Sequence, residues 1–236
     1  MPAASVPPPP DPITAVIARM EAIGAGLAPA DGVACFNGLY LAVTHAVDGR
    51  VADEGFADPA FLSALDVGFA QLYFDAVDAV AAGRKSSRAW APLFERRGDR
   101  RVAPVQFALA GMNAHINHDL PLALIATFEQ LGLSPDPDGA PHADYQRVNA
   151  TLATVEEQVK ARFAIGLVGV ADRVLGRLDD VLAMWSIEEA RNAAWQHCET
   201  LWALRDHQRL YADALDALDG ICGLAGRGLL APVLDD

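Results

Sequence analysis

Apolar residues recur at steps of three and four along most of this chain, and nowhere do they alternate with polar residues in the rhythm of a half-buried strand. A backbone patterned in this way hides its apolar face by forming helices and packing them together, so the sequence predicts an all-α fold, a single-domain multi-helix bundle. Ile13, Val16, Ile17, Met20, Ile23 and Leu27 make the first stripe, which Gly24 weakens and Pro29 ends. The second runs from about Gly32 to Val47 over Phe36, Leu39, Tyr40 and Val43, with Asp48-Gly49 as its closing turn. The third, from about Pro59 to Ala82, carries Leu62, Leu65, Phe69, Leu72, Val77 and Val80, and sets Asp66 and Tyr73 beside that stripe.

Gly83 to Arg101 reads as a loop with a short helical piece around Trp90 to Phe94, and it gathers Arg84, Lys85, Arg88, Arg96, Arg97, Arg100 and Arg101. Such a cluster is either a solvated linker balancing nearby carboxylates or an anion-attracting lid. From Val102 a helix enters the segment around His115, where Pro121 forces one of two outcomes. Either the helix kinks, or it ends near His118 and Asp119 caps a new one with Pro121 in its first turn. Gly132 and the loop through Gly139 end the next helix. Further helices are expected from about Asp144 to Ile165, from Val170 to Met184, from the capping box Ser186-Ile-Glu-Glu189, and from about Arg205 to Leu218 before a glycine-rich tail. Residues 1–10, rich in proline, are expected to form a flexible tail, leaving 11–236 as one helical domain.

Acidic residues outnumber basic ones by 31 to 18, a net charge of −13, which repels phosphate backbones and anionic membranes and argues against nucleic acid or a membrane as partner. Cys35, Cys198 and Cys222 are odd in number and lie in apolar surroundings, which suits reduced core thiols. No uninterrupted apolar run reaches the length of about 18 residues that a membrane span needs. The start lacks a basic region followed by an apolar one, so a cytoplasmic protein is expected. Lys85 and Lys160 are its two lysines, and arginine with abundant alanine reads as the coding bias of a high-GC bacterial genome.

Chemistry concentrates in Asn113-Ala-His115-Ile-Asn117-His118-Asp119. On a helix His115 lies three residues before His118 and four before Asp119, so all three project from one side within a turn. They can share a divalent metal (zinc, iron or manganese), with His45 from another helix as a further ligand. Equally, the carboxylate can orient an imidazole for acid–base work, with His118, Asp119 and Asp66 as the catalytic groups. Asn113, Asn117, Tyr73, Arg191 and Trp195 are the candidate substrate-binding residues. Arg191 would hold an anionic group and Trp195 would stack on an organic ligand. His197 and Glu199 are further candidates for completing a metal site.

The run Gly111-Met-Asn-Ala-His-Ile-Asn117 followed by Asp119-Leu120 resembles an uncharacterised bacterial family of unknown function, and so do Phe69-Ala-Gln-Leu-Tyr73-Phe74 and Ala190-Arg-Asn-Ala-Ala-Trp195. That resemblance brings no known reaction. His115, Asp119 and a proline beyond are also similar to the zinc-dependent phospholipase C and single-strand nuclease family, although Pro121 follows the aspartate by two residues here. The dipeptide His118-Asp119 is similar to the histidine-aspartate phosphohydrolases, whose upstream histidine would be His45. These similarities imply a metal-dependent hydrolase of a phosphoester or other small polar ester. The alternatives are a metal-independent small-molecule cyclase or isomerase working in an apolar helical pocket, and a non-catalytic ligand-binding protein whose surfaces support a homodimer.

Overall fold

The computed structural model describes residues 12–51, 55–166 and 186–234, and among them every regular element is helical. In chain order these are α1 (Pro12–Ala25), α2 (Gly32–Val51), α3 (Pro59–Ala81), α4 (Ala91–Arg96) and α5 (Pro104–Met112). A π-helical segment, Asn113–Asp119, leads directly into α6 (Leu120–Leu131), and α7 (Ala140–Gly166), α8 (Ile187–Leu204) and α9 (Gln208–Leu229) follow. The fold is thus the all-α bundle expected from the apolar periodicity. The expected proline-rich tail and the expected helix from Val170 to Met184 fall outside the described residues.

Local chemistry starts and stops these helices. Pro59 opens α3 behind Asp58, whose carboxylate accepts the Phe61 N–H at 3.0 Å. Fully buried Asp144, on α7, accepts the N–H groups of Ala57 and Asp58 at 3.1 and 2.6 Å and so ties α7 to the entry of α3. Gly132 ends α6 at φ 66°, the left-handed conformation that glycine adopts without Cβ strain. At the start of α8 the Ser186 hydroxyl accepts the Glu189 N–H at 3.2 Å.

Three sequence boundaries need correction. α2 continues to Val51 through the expected Asp48-Gly49 turn. α7 begins at Ala140, with Pro141 inside its first turn, where a missing N–H leaves no bond unmade. The glycine-rich stretch after Leu218 is no tail but the second half of α9. Gly223 is there for close approach, because a Cβ on it would overlap the backbone carbonyl of Arg88.

Around the π segment pack α3, α5, α6, α8 and α9, which puts the chemistry-bearing residues in the middle of the bundle. α2 lies along α5, where Gly111 leaves room for the Phe36 ring that a Cβ would displace. Phe36, Phe61, Tyr73, Trp90, Phe128 and Tyr145 are each at most 1% exposed, and each such ring contributes about 1.5–3 kcal/mol of burial. α3 is long and apolar enough, by length and composition, to cross a membrane. Here Phe61, Leu62, Leu65, Ala70, Tyr73, Phe74 and Ala79 are buried in the bundle, and α3 packs on α6.

Gly223→Ala is expected to cost about 1–3 kcal/mol, because the Arg88 backbone has to move. Gly228→Ala, in the same helix with open space around it, should leave stability unchanged or raise it by up to about 1 kcal/mol. Thermal melts of the two variants check this, and equal melting temperatures would show that α9 does not depend on its contact with residues 87–92.

Candidate active site

Pro121 has no N–H to give to the helix, and its ring crowds the preceding turn. The chain does not break there. It widens into a π turn, in which the Leu120 N–H bonds the His115 carbonyl, five residues back, and Pro121 falls in the first turn of α6. Neither the expected sharp restart nor an Asp119 cap is found. Asp119 has helical backbone angles and caps nothing, so its carboxylate is free to turn inward. π segments of this kind are rare and gather at functional sites.

The carboxylate of Asp119, 2% exposed, is the hub. One oxygen, Oδ2, accepts the Trp90 indole N–H at 2.9 Å and lies 3.2 Å from His115 Nδ1. The other, Oδ1, lies 2.7 Å from His118 Nδ1. Burial alone pushes the Asp119 carboxyl up, but the hydrogen bonds and charges of His115 and His118 together outweigh it and hold the group below its usual value. For His115 burial dominates and pulls the imidazole below the usual 6.5, against the opposing pull of Asp119. The pair is therefore neutral histidine beside ionised aspartate. A neutral ring facing a carboxylate through Nδ1 carries its proton there, which leaves Nε2 as a basic lone pair.

That Nε2 is a buried polar atom with no hydrogen-bond partner, and among the described side chains it is the single such atom. Rings enclose it. Phe69 stacks on the imidazole at 3.6 Å with planes 7° apart, and Tyr40 meets it edge-on at 4.5 Å. Phe36, Tyr73 and Trp90 complete the aromatic surround.

His115 also forms part of the wall of a cavity of about 290 Å³, close to the lower end of ligand pockets, which run to about 300–1,000 Å³. α1, α2, α3, α5, the π segment, α6, α7 and α8 contribute mostly apolar lining, and the polar side chains on the wall are Tyr40, Thr44, Ser63, Asp66, His115 and Arg191. Burial raises the Tyr40 phenol well above its usual value, with the Asp66 and Asp119 charges adding to the effect, so it is a neutral hydroxyl.

The structure thus brings His115, His118 and Asp119 together and sets Asp66 and Arg191 on the same cavity as His115. Other expected residues lie elsewhere. His45 is exposed on α2. Tyr73 is a core tyrosine that donates its hydroxyl to Asn37 Oδ1 at 3.1 Å. Asn113 donates to the Cys222 carbonyl at 2.9 Å and accepts from Asn117 at 3.2 Å, so the two amides lock α9 to the π segment. Trp195 gives its indole N–H to Glu199 at 3.0 Å and packs among Phe128, His142 and Tyr145. None of these five side chains lines the cavity. His197 is exposed. The basic stretch is a set of clamps, with Arg88 on Asp216 and Asp219, Arg97 on Asp31, and Arg101 on Asp99. No group of three or more His, Cys, Asp or Glu among the described residues is placed to hold one metal ion.

Sequence reasoning missed Trp90 as a donor to Asp119, and Phe69 and Tyr40 as the rings over His115. Trp90 lies 29 residues from its partner, beyond any helical spacing. Phe69 does fall in one of the stretches that carried the family resemblance, but nothing in it reveals a stacking role.

Fold and site define a class, the helical bundle with an aspartate-anchored histidine on the wall of an apolar cavity. The chain belongs to the family described as Family of unknown function (DUF5995), matched over residues 13–232. No curated protein and no solved structure matches it.

Because His115 titrates below an unfolded histidine, the unfolded chain takes up the proton first, and stability falls as pH drops from 6.5 through the lower folded value. Asp119 adds a second loss deeper in acid, below the 3.8 of an unfolded aspartate. His197, lowered by burial, acts in the same direction as His115. The expected observation is a melting temperature that falls from about pH 7 to about pH 5 less steeply in His115→Phe than in the wild type. Parallel curves would refute it. Trp90→Phe leaves Asp119 one donor short and should cost about 1.5–3 kcal/mol in denaturant unfolding.

Proposed function

We propose that this protein is a metal-independent enzyme that moves a proton on a small, largely apolar molecule, an isomerase or cyclase with His115 as its base. The supporting observation is the unpartnered Nε2 of a buried histidine on the wall of a ligand-sized cavity. Leaving a buried acceptor unpaired costs about 1–3 kcal/mol, which a chain needing only a rigid core gains nothing by spending. The run from Gly111 to Asn117 with Asp119-Leu120 is, on this reading, the functional signature of the family.

Asp119 keeps the proton on Nδ1, so Nε2 is left with the lone pair that acts as the base. When a substrate C–H breaks, its proton goes to Nε2, and the imidazolium so formed sits against the Asp119 carboxylate, which stabilises it. The imidazolium gives the same proton back to a second position of the substrate, which restores neutral His115, and no oxidant or reductant is consumed. Asp66, on the same cavity, is the second acid–base group. The apolar walls hold the substrate in a reactive shape and keep water out. Nε2 is closed to water in this form, so the substrate reaches it by turning Phe69 or Tyr40, both of which line the cavity.

The likeness of His115, Asp119 and Pro121 to the zinc-dependent phospholipase C and nuclease family supports a second reading, hydrolysis of a phosphoester. His115 Nε2 is the donor it has to offer. Among the described residues no group of three or more His, Cys, Asp or Glu gathers around one point, which weighs against this reading.

The test incubates untagged protein with a bacterial small-molecule extract and follows consumed and formed compounds by mass spectrometry. Expected is a conversion that leaves molecular mass unchanged, survives chelator, and falls at least about 100-fold in His115→Phe, the scale of a lost general base. A conversion that needs added metal and adds water would overturn the reading in favour of hydrolysis. Absence of any conversion, with His115→Phe changing only the melting temperature, would overturn it in favour of binding or structure.

A further inference from the structure

Arg191 is 8% exposed, on α8, and lines the same cavity as His115. Its Nε donates to Asn149 Oδ1 at 2.6 Å and its Nη2 to the Tyr145 carbonyl at 3.0 Å, while the guanidinium lies 3.9 Å over the Tyr145 ring. Tyr145, itself fully buried, returns its hydroxyl to the Arg191 carbonyl at 2.7 Å. Each of these partners is neutral, and no carboxylate among the described residues pairs with Arg191. A buried guanidinium is ordinarily matched by a carboxylate, because an uncompensated charge in a low-dielectric interior is costly. Among the described residues the counter-charge is missing at a place where a ligand-sized cavity begins.

We infer that the cavity takes a small apolar acid whose carboxylate binds Arg191, with its apolar body extending towards His115. The inference rests on the cavity being the ligand site proposed above. Asn149 and Tyr145 occupy Nε and one Nη2 N–H, which leaves the end of the fork, Nη1 with the second Nη2 N–H, for two parallel hydrogen bonds to a carboxylate. The Tyr145 ring beneath the guanidinium holds that fork in one plane, so little order is lost when the ligand binds. A single guanidinium in a mainly apolar wall suits a monoanion, whereas a phosphate dianion calls for several donors.

Phenylbutyrate and its primary amide, which differ in charge at nearly constant shape, are the probes, with binding to the full chain measured by titration calorimetry. The acid should bind roughly tenfold or more tightly than the amide in the wild type. Arg191→Met should abolish that preference and leave amide affinity unchanged. Asn149→Asp is the fold-preserving counterpart, since it places a carboxylate on Arg191 Nε. It should keep or raise the melting temperature and lose the preference too. An acid that binds no better than the amide in the wild type, or a preference that survives in both variants, overturns the inference. His115→Phe should retain the preference. If it does and no conversion is found, the catalytic reading fails alone; if His115-dependent conversion occurs without acid preference, the anion site fails alone.

Discussion

A carboxylate that stays ionised inside a protein needs donors on every side, and Asp119 meets that demand with groups from two places only. Two of its donors, His115 and His118, come from its own π segment and the third, Trp90, from the start of α4. Two consequences follow from this one interaction. The backbone has to bring residues one and four positions away onto the same carboxylate, which the wide turn of residues 113–119 does. The segment before α4 has to be held against the π helix, which the clamps on Arg88 and Ala89 from Asp219 do.

The charge of Asp119 decides the chemistry of His115. With the carboxylate ionised and the imidazole neutral, the proton sits between them and the far nitrogen becomes a base held in a dry, aromatic box. A helix core of leucines would have filled such a place without penalty. The cavity beside it is bounded by residues from eight elements, yet its polar side chains are few, and some of them are fixed by their own helix or from outside the cavity. Thr44, for instance, bonds the Tyr40 carbonyl at 2.9 Å one turn back. Polar groups thus converge on the space without filling it.

Much of the fold was legible because apolar periodicity is a local property: the stripes on α1, α2 and α3 and the Ser186 cap can be read within a few turns of sequence. Where reading failed, the cause was distant. Glycines after Leu218 look like a helix ending until Arg88, more than 130 residues earlier, is known to lie against Gly223. Within the site, His115, His118 and Asp119 were legible as a cluster because their spacing is helical, and Pro121 signalled that the helix would be altered there. The widened turn itself was not, since proline permits a kink, a restart or a π turn and the choice belongs to the five helices packed around it. Asn113 and Asn117 show the opposite error. Their chemistry suited a ligand, but their amides are spent in holding α9. Arg191 is legible in the sequence as a candidate for an anionic group, while the neutral clamp of Asn149 and Tyr145 around it depends on the meeting of α7 and α8.

α9 therefore does more than close the bundle. Asp219 on its inner face reaches the Arg88 side chain and the backbone N–H groups of Arg88 and Ala89, and lies 3.5 Å from His118 Nε2. His118 passes that contact to Asp119 Oδ1, and Asp119 Oδ2 passes it to His115. One continuous line of charge-assisted contacts runs from a half-exposed carboxylate to the base at the cavity. A displacement of α9 would loosen His118 first, weaken the hold on the Asp119 carboxylate, and raise the affinity of that carboxylate for a proton, so the orientation of the His115 ring depends on a helix that never touches the cavity. The small residues on the inner face of α9, Gly223 and Gly226 against Arg88 and Pro92, are what let the helix come close enough to set it.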